Sequence, residues 1–320
     1  MPTTKSNPLN MKKKILLSLA SSLFLVAIFT ACKKDTGAST DNTAEASMQS
    51  DDQARVSSEV DAVANDADAA LETSTTFSGR YSQGQLNVIC DATLVYDSVS
   101  NPRTITITYN GSNCWGSRTR SGAVVISMAQ GVHWKNPGAS ITITFQNLKI
   151  TRVSDNKSIT LNGSQTYTNV SGGLLINLPA LGTITHTITS SNMSITFDDN
   201  SQRTWQVAKQ RVFSYNNGVV ITTTGTHADG TVTGIAEWGL NRFGHAFASS
   251  IVAPLVIRQD CSFRLVSGEV KHTTPLVTAT ATFGLDAAGD PTSCPGTGHY
   301  YFKVVWTGAN GNSLTVIMAY

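Results

Sequence analysis

Three side chains in one short polar stretch have the chemistry to hold a ligand: Trp115, Arg118 and Arg120. An exposed indole offers a flat apolar face to a ring such as a sugar. Two arginines spaced by two share one face of a strand, where they could grip a carboxylate or phosphate. The other tryptophans (Trp134, Trp205, Trp238 and Trp306), with Tyr300 and Tyr301, could serve as stacking platforms or fill a sheet interface. The six histidines are isolated, with no pair at metal-ligand spacing. Asp198-Asp199-Asn200 and the pair Asp286 and Asp290 fall in turn-rich sequence without the spacing of a calcium loop. No metal or cofactor is therefore expected. Neither a G-x-S-x-G elbow nor H-E-x-x-H, nor a phosphate-cradling glycine loop, occurs. A glycosidase needs two carboxylates across a cleft, and distant acids such as Glu237 and Asp260 are not paired by anything in the sequence. A non-catalytic role is expected.

Five cysteines are present: Cys32, Cys90, Cys114, Cys261 and Cys294. No C-x-x-C occurs, which argues against a zinc site or a thioredoxin-like pair. The last four allow three disulfide pairings. Cys90-x-x-x-Leu94-Val95 matches Cys261-x-x-x-Leu265-Val266, and each run leads through an alternating threonine strand to a second cysteine. Equivalent cysteines closing equivalent loops favour Cys90 with Cys114 and Cys261 with Cys294. Each bridge would stabilise the fold by about 3–4 kcal/mol.

Cys32 stands apart. Lys12, Lys13 and Lys14 precede an apolar run from Ile15 to Phe29, and Thr30, Ala31 and Cys32 follow. A basic start, an apolar stretch of about fifteen residues and small residues before a cut site make an export signal. Phe29-Thr30-Ala31-Cys32 resembles the lipobox of bacterial lipoproteins, with Phe29 where that family usually has Leu. Lys33-Lys34-Asp35 is similar to the charged tract of lipoproteins of the Bacteroidota type. The resemblance implies that Cys32 is acylated and becomes the new N-terminus, placing the protein in the cell envelope, most plausibly at the outer membrane. The start codon, Met1 or Met11, stays open.

Loss of Lys5, Lys12, Lys13 and Lys14 with the leader leaves 19 basic side chains against 21 acidic ones. They are unevenly placed. Lys33 to Thr75 carries ten acidic and three basic residues, and the chain from Thr76 onward eleven acidic and sixteen basic. Such a split suits an acidic arm that lies on a basic body, a body seeking an anionic glycan, or a plain solvated tether. Nucleic acid is not an expected partner, because the basic residues are scattered singly.

The elements that must position these groups follow from periodicity. Gly37 to Gln49 has the Ser, Thr, Ala, Asn and Asp composition of a disordered spacer. Ser50 with Gln53 fits a capping box, and Val56, Val60, Val63, Ala67 and Leu71 form one stripe of a helix ending near Glu72. From Thr76 the period falls to two, as in Thr104 to Tyr109, Ile141 to Phe145 and Thr278 to Phe283. Asn110-Gly111, Asn162-Gly163, Asn217-Gly218, Asp229-Gly230 and Asn310-Gly311 read as hairpin turns. The final alternation of Leu314, Val316, Met318 and Tyr320 resembles the closing strand of outer-membrane barrels, although the threonine-rich faces argue against a lipid-facing barrel.

The expected organisation is a signal peptide (1–31), a lipid anchor and disordered spacer (32–49), a short acidic amphipathic helix (50–75) and an all-β antiparallel body (76–320). The body is expected as a sandwich or a long twisted open sheet of about fifteen to twenty strands. The expected function is that of a lipid-anchored envelope protein, a structural or non-catalytic binding module for a glycan or another envelope protein. A polysaccharide hydrolase and a carrier of lipid or another hydrophobic ligand are the alternatives. The hydrolase requires converging carboxylates, and the carrier a large apolar cavity.

Overall fold

A computed structural model describes residues 43–80, 89–261, 263–294, 298–308 and 311–319. Cys32 and the stretch read as an export leader lie outside the described residues. The alternating segments form fifteen antiparallel strands in one continuous sheet, an open sheet and not a sandwich. β1 (Ala92–Asp97), β2 (Arg103–Ser112), β3 (Arg118–Met128), β4 (Ala139–Arg152), β5 (Ser158–Asn169), β6 (Thr183–Phe197) and β7 (Gln202–Tyr215) lie side by side in chain order. The order resumes with β10 (Val232–Leu240), β11 (Ala246–Arg258), β12 (Arg264–Thr273), β13 (Val277–Leu285), β14 (Tyr301–Gly308) and β15 (Ser313–Ala319). β8 (Val219–Gly225) and β10 lie end to end, and together they occupy one position between β7 and β11. The chain between them leaves the sheet as a small hairpin, in which β9 (His227–Asp229) pairs with β10. Disulfides join Cys90 to Cys114 and Cys261 to Cys294, the pairing expected from the matched cysteine runs.

Asn217-Gly218 and Asp229-Gly230 are turns, with Asn217, Gly218 and Gly230 at positive φ. Asn110-Gly111 and Asn162-Gly163 are not: both lie inside strands, β2 and β5. The reason is visible at Gly163, where a Cβ would come within 2.4 Å of the Asn192 carbonyl oxygen. Gly122 has the same relation to the Asn147 oxygen, at 2.3 Å. These glycines sit in bulges that cross β3, β4, β5 and β6, with register shifts at Ser121/Ala123, Phe145/Leu148, Asn162/Thr166 and Ser190/Met193. Bulges bend a strand and raise its twist, so a row of them coils the sheet.

The coiled face receives a helix, α1 (Thr43–Thr73). It has 31 residues, where a short helix was expected, and it starts at Thr43 within the stretch read as spacer. The Ser50/Gln53 pair is not its N-terminus; the Gln53 side chain reaches instead into the sheet, to Arg203 and Glu237. Alanine is the best helix former, and Ala44, Ala46, Ala54, Ala62 and Ala64 extend the element beyond its valine stripe. Val56, Val60, Val63, Ala67 and Leu71 are all buried, in one core with Ile105, Ile107, Val124, Ile126, Ile143, Ile195 and Trp205 of the sheet. A one-turn continuation, α2 (Thr75–Ser78 with its cap Gly79), buries Phe77 in the same core.

The acidic arm does lie on the basic body. Asp52 takes a bidentate pair from Arg242 at 2.6 and 2.7 Å. Asp51 meets Arg152, Glu59 meets Arg118, Asp61 meets Arg211, and Asp66 meets Arg120. Arg55, the helix's own base, donates to the carbonyls of Ile150 and Lys157. The helix covers a face of the sheet. Among the described residues the edges β1 and β15 have no strand on their outer sides, so α1 is not the edge guard that a long open sheet calls for.

Candidate functional site

Alternation along each strand assigns every side chain to the inner face, under α1, or to the outer face. Arg118 and Arg120 share a face as their spacing requires, and it is the inner one. Arg120 holds Asp91 through two hydrogen bonds, 2.7 and 2.6 Å, and Asp66 at 2.7 Å. Its guanidinium also lies 4.2 Å from the Tyr109 ring centroid. Burial works against the charge of Arg120, but its hydrogen bonds to Asp91 and Asp66 outweigh burial and hold its pKa above the ordinary value. Arg118 is engaged by Glu59. Both arginines therefore fasten helix to sheet. Trp115 stands apart from them at the tip of the β2–β3 turn, 89 % exposed and next to the Cys90–Cys114 bridge.

Glu237 and Asp260, which nothing in the sequence paired, are separated too. Glu237 is on the inner face of β10, where it accepts hydrogen bonds from Ser57 at 2.9 and 3.0 Å and from Trp205 Nε1 at 3.0 Å, with Lys209 and Gln53 also bound to it. Burial raises its pKa, but Lys209 and Arg203 more than offset this and leave it below the ordinary carboxylate range. Asp260 lies beyond the far end of β11, paired with Arg258. Nine strand residues (250–258) lie between Ser249, the residue opposite Glu237, and the turn that holds Asp260, so the two acids are about 30 Å apart.

Around Glu237 the inner face is a closed polar knot. Arg203 packs 4.0 Å from the centroid of Phe247, and burial brings its pKa down to about 10. His272 bonds Ser249 at 2.7 Å and Gln49 of α1 at 3.2 Å. Burial and the nearby Arg203 bring its pKa down to about 4, so it is neutral at pH 7. Nothing in this knot opens to solvent as a cleft with two free carboxylates. Its groups serve to seat the N-terminal half of α1.

Among the described residues one cluster of metal-ligand atoms occurs, Asp260 with Cys261 and Cys294, and those sulfurs are joined in a disulfide. Asp199 and Asp286 use their carboxylates on nearby turn groups, Asp199 on Ser201 and Asp286 on the backbone of Ala288 and Asp290.

The outer face offers a different feature where the β9–β10 hairpin leaves the sheet. Its floor and walls line a shallow hollow of about 710 Å³ that lies wide open to solvent. Trp238 is the neighbour of Glu237 and so points to the opposite face. Its ring stacks on His227 with centroids 4.0 Å apart and planes 14° from parallel. In the cross-strand row Gln206–Trp238–Ala248–Thr273, the small Ala248 beside the large indole is what leaves the gap. Gln206, Thr273 and Asp229 supply hydrogen-bonding groups around the rim, and neither Lys nor Arg lines it. Trp238 was legible as a tryptophan but not as a site. Its partner His227 lies eleven residues earlier on β9, and the pairing of β9 with β10 brings the two rings together.

No protein-family model, curated protein or solved structure matches the chain.

Proposed function

We propose that the protein is a lipid-anchored component of the cell envelope that binds a saccharide, without catalysis, in the hollow beside Trp238. The observation that carries this reading is the hollow's make-up: an aromatic face backed by His227, a small-residue floor, and the amide of Gln206, the hydroxyl of Thr273 and the carboxylate of Asp229 at its edge. A sugar ring has apolar C–H faces and a hydroxyl perimeter, and it would match both halves of that lining. The knot around Glu237 supports the non-catalytic side of the reading, because its titratable groups are consumed in holding α1. The anchor rests on the Cys32 motif.

A glycan array probed with the full chain tests the binding site. A hit that is lost in Trp238→Ala and in Ala248→Leu, which fills the hollow, and is kept in Trp115→Ala supports it. An array without a hit, or a hit indifferent to Trp238→Ala, rejects it. Mass spectrometry of the mature N-terminus tests the anchor separately, since an acylated Cys32 adds the mass of its chains.

A further inference from the structure

Because strands alternate in direction, the turns β2–β3, β4–β5, β6–β7 and β10–β11 all lie at one end of the sheet. α1 begins at that same end. Asp51 pairs with Arg152 at the close of β4, and Asp52 with Arg242 in the β10–β11 turn, which also meets Asp199 in the β6–β7 turn. Thr43, the first described residue, therefore lies at that end, and the preceding residues, with the apolar run and Cys32, join the body there. Three of the turns at this end each expose an apolar side chain: Trp115, Val153 at 55 % and Phe243 at 42 %. Val153 donates its backbone N–H to Ser117 at 3.0 Å, which ties its turn to that of Trp115. Met48, one turn before Asp51 on the helix, is exposed beside them.

We infer that this end of the sheet rests on a lipid bilayer, with Trp115, Val153 and Phe243 dipping to headgroup depth. Tryptophan is favoured at the membrane–water boundary because its body is apolar and its N–H stays wet. The charged groups around these tips, Arg152, Asp155, Lys157 and Asp199, suit the headgroup layer and would oppose deeper entry. A tether of about ten residues between Cys32 and Thr43 reaches no more than about 35 Å, so an anchor at Cys32 would hold this end, and not the opposite one, near the surface. The inference rests on the anchored reading for its orientation, while the surface itself is tested independently of the anchor.

The opposite end also exposes apolar residues, Ile176 and Leu181 among them, and it serves as the control. The full chain is mixed with an excess of phosphatidylethanolamine/phosphatidylglycerol vesicles bearing brominated acyl chains, and tryptophan emission is read. Wild type and Cys32→Ser are both expected to be quenched. Trp115→Phe should lose most of that quenching, and Ile176→Ser should keep it. Vesicles that leave the emission unchanged, or quenching that survives Trp115→Phe, would overturn the inference, as would quenching that disappears with Ile176→Ser. An unmodified Cys32 with normal quenching would remove the anchor and leave the surface standing.

Discussion

The strands β2 to β7 and the strands β13 to β15 are built from the same alternating, threonine-rich sequence, yet they are held differently. In the first set each strand places large apolar residues under α1, and Ile105, Ile107, Val124, Ile126, Ile143 and Ile195 are fully or almost fully buried. In the second set the matching face carries Ala279, Ala281 and Phe283 on β13, Phe302, Val304 and Trp306 on β14, and Leu314, Val316 and Met318 on β15. That face is as apolar as the first, and α1 does not extend over it. Leu314 and Met318 are accordingly exposed. Side-chain pattern makes a sheet; a second layer makes a core. Burial in the covered half rests on one helix, and that half should respond far more sharply to substitution.

The contrast can be broken first at Glu237. Glu237→Ala leaves Lys209 and Arg203 buried without their acid and is expected to cost about 3–5 kcal/mol in a urea titration. Lys303→Ala on β14 should stay within about 0.5 kcal/mol. If the two changes cost alike, the idea that the helix-covered half carries the stability fails. The disulfides come next. They close loops of 24 and 33 residues, so replacing either pair with alanine should cost about 3–4 kcal/mol in the chain-entropy account. The loss should spread through the covered half for Cys90–Cys114 and stay local for Cys261–Cys294, which hydrogen exchange would resolve.

Acidity offers a third probe. Burial, and then the neighbouring Glu72, raise the Asp68 pKa to about 7. A carboxyl that holds its proton more tightly when folded stabilises the fold at low pH, and this contribution is lost as pH rises from about 4 through 7. Asp68→Asn should match wild type near pH 4 and exceed it at pH 8 by on the order of 2 kcal/mol. Equal midpoints at pH 8 would show the site to be solvated. His186 acts in the other direction. Burial and Arg211 lower its pKa to about 4, so its contribution is present above about 6.5 and fades as pH falls toward 4.

The smallest effect is the cleanest comparison. Ile107→Val in β2 should cost about 1 kcal/mol, and the same change at Ile317, on the outer face of β15, less than about 0.5. Indistinguishable values would mean that β15 is covered in solution.

Much of this was readable in advance for a physical reason. Period-two alternation reports a backbone whose side chains point to opposite faces, so the all-β body needed no tertiary knowledge. The valine stripe likewise named the buried face of α1, because a helix docks by its most apolar side. Its start was not readable, since Thr43 to Gln49 looks like a spacer until neighbouring strands supply partners such as His272 for Gln49. The Asn-Gly pairs at 110 and 162 both misled; at Gly163 the reason is that a glycine that relieves a close approach in a bulge is indistinguishable in sequence from one that makes a turn. The site shows the same limit. Arg118 and Arg120 were correctly placed on one face, but which face depends on where the acids of α1 come to lie.

The sequence by itself determined the antiparallel sheet and the charge difference between arm and body, and it favoured the pairing of cysteines that the structure shows. Each is a local or near-neighbour property, carried by composition, period or short loops. Tertiary structure alone decided that the arm fills the coiled inner face, that the basic residues face it, and that Trp238 meets His227 over a hollow on the other side. Those outcomes depend on register and on bulges summed over many strands, where a shift of one residue exchanges inside for outside.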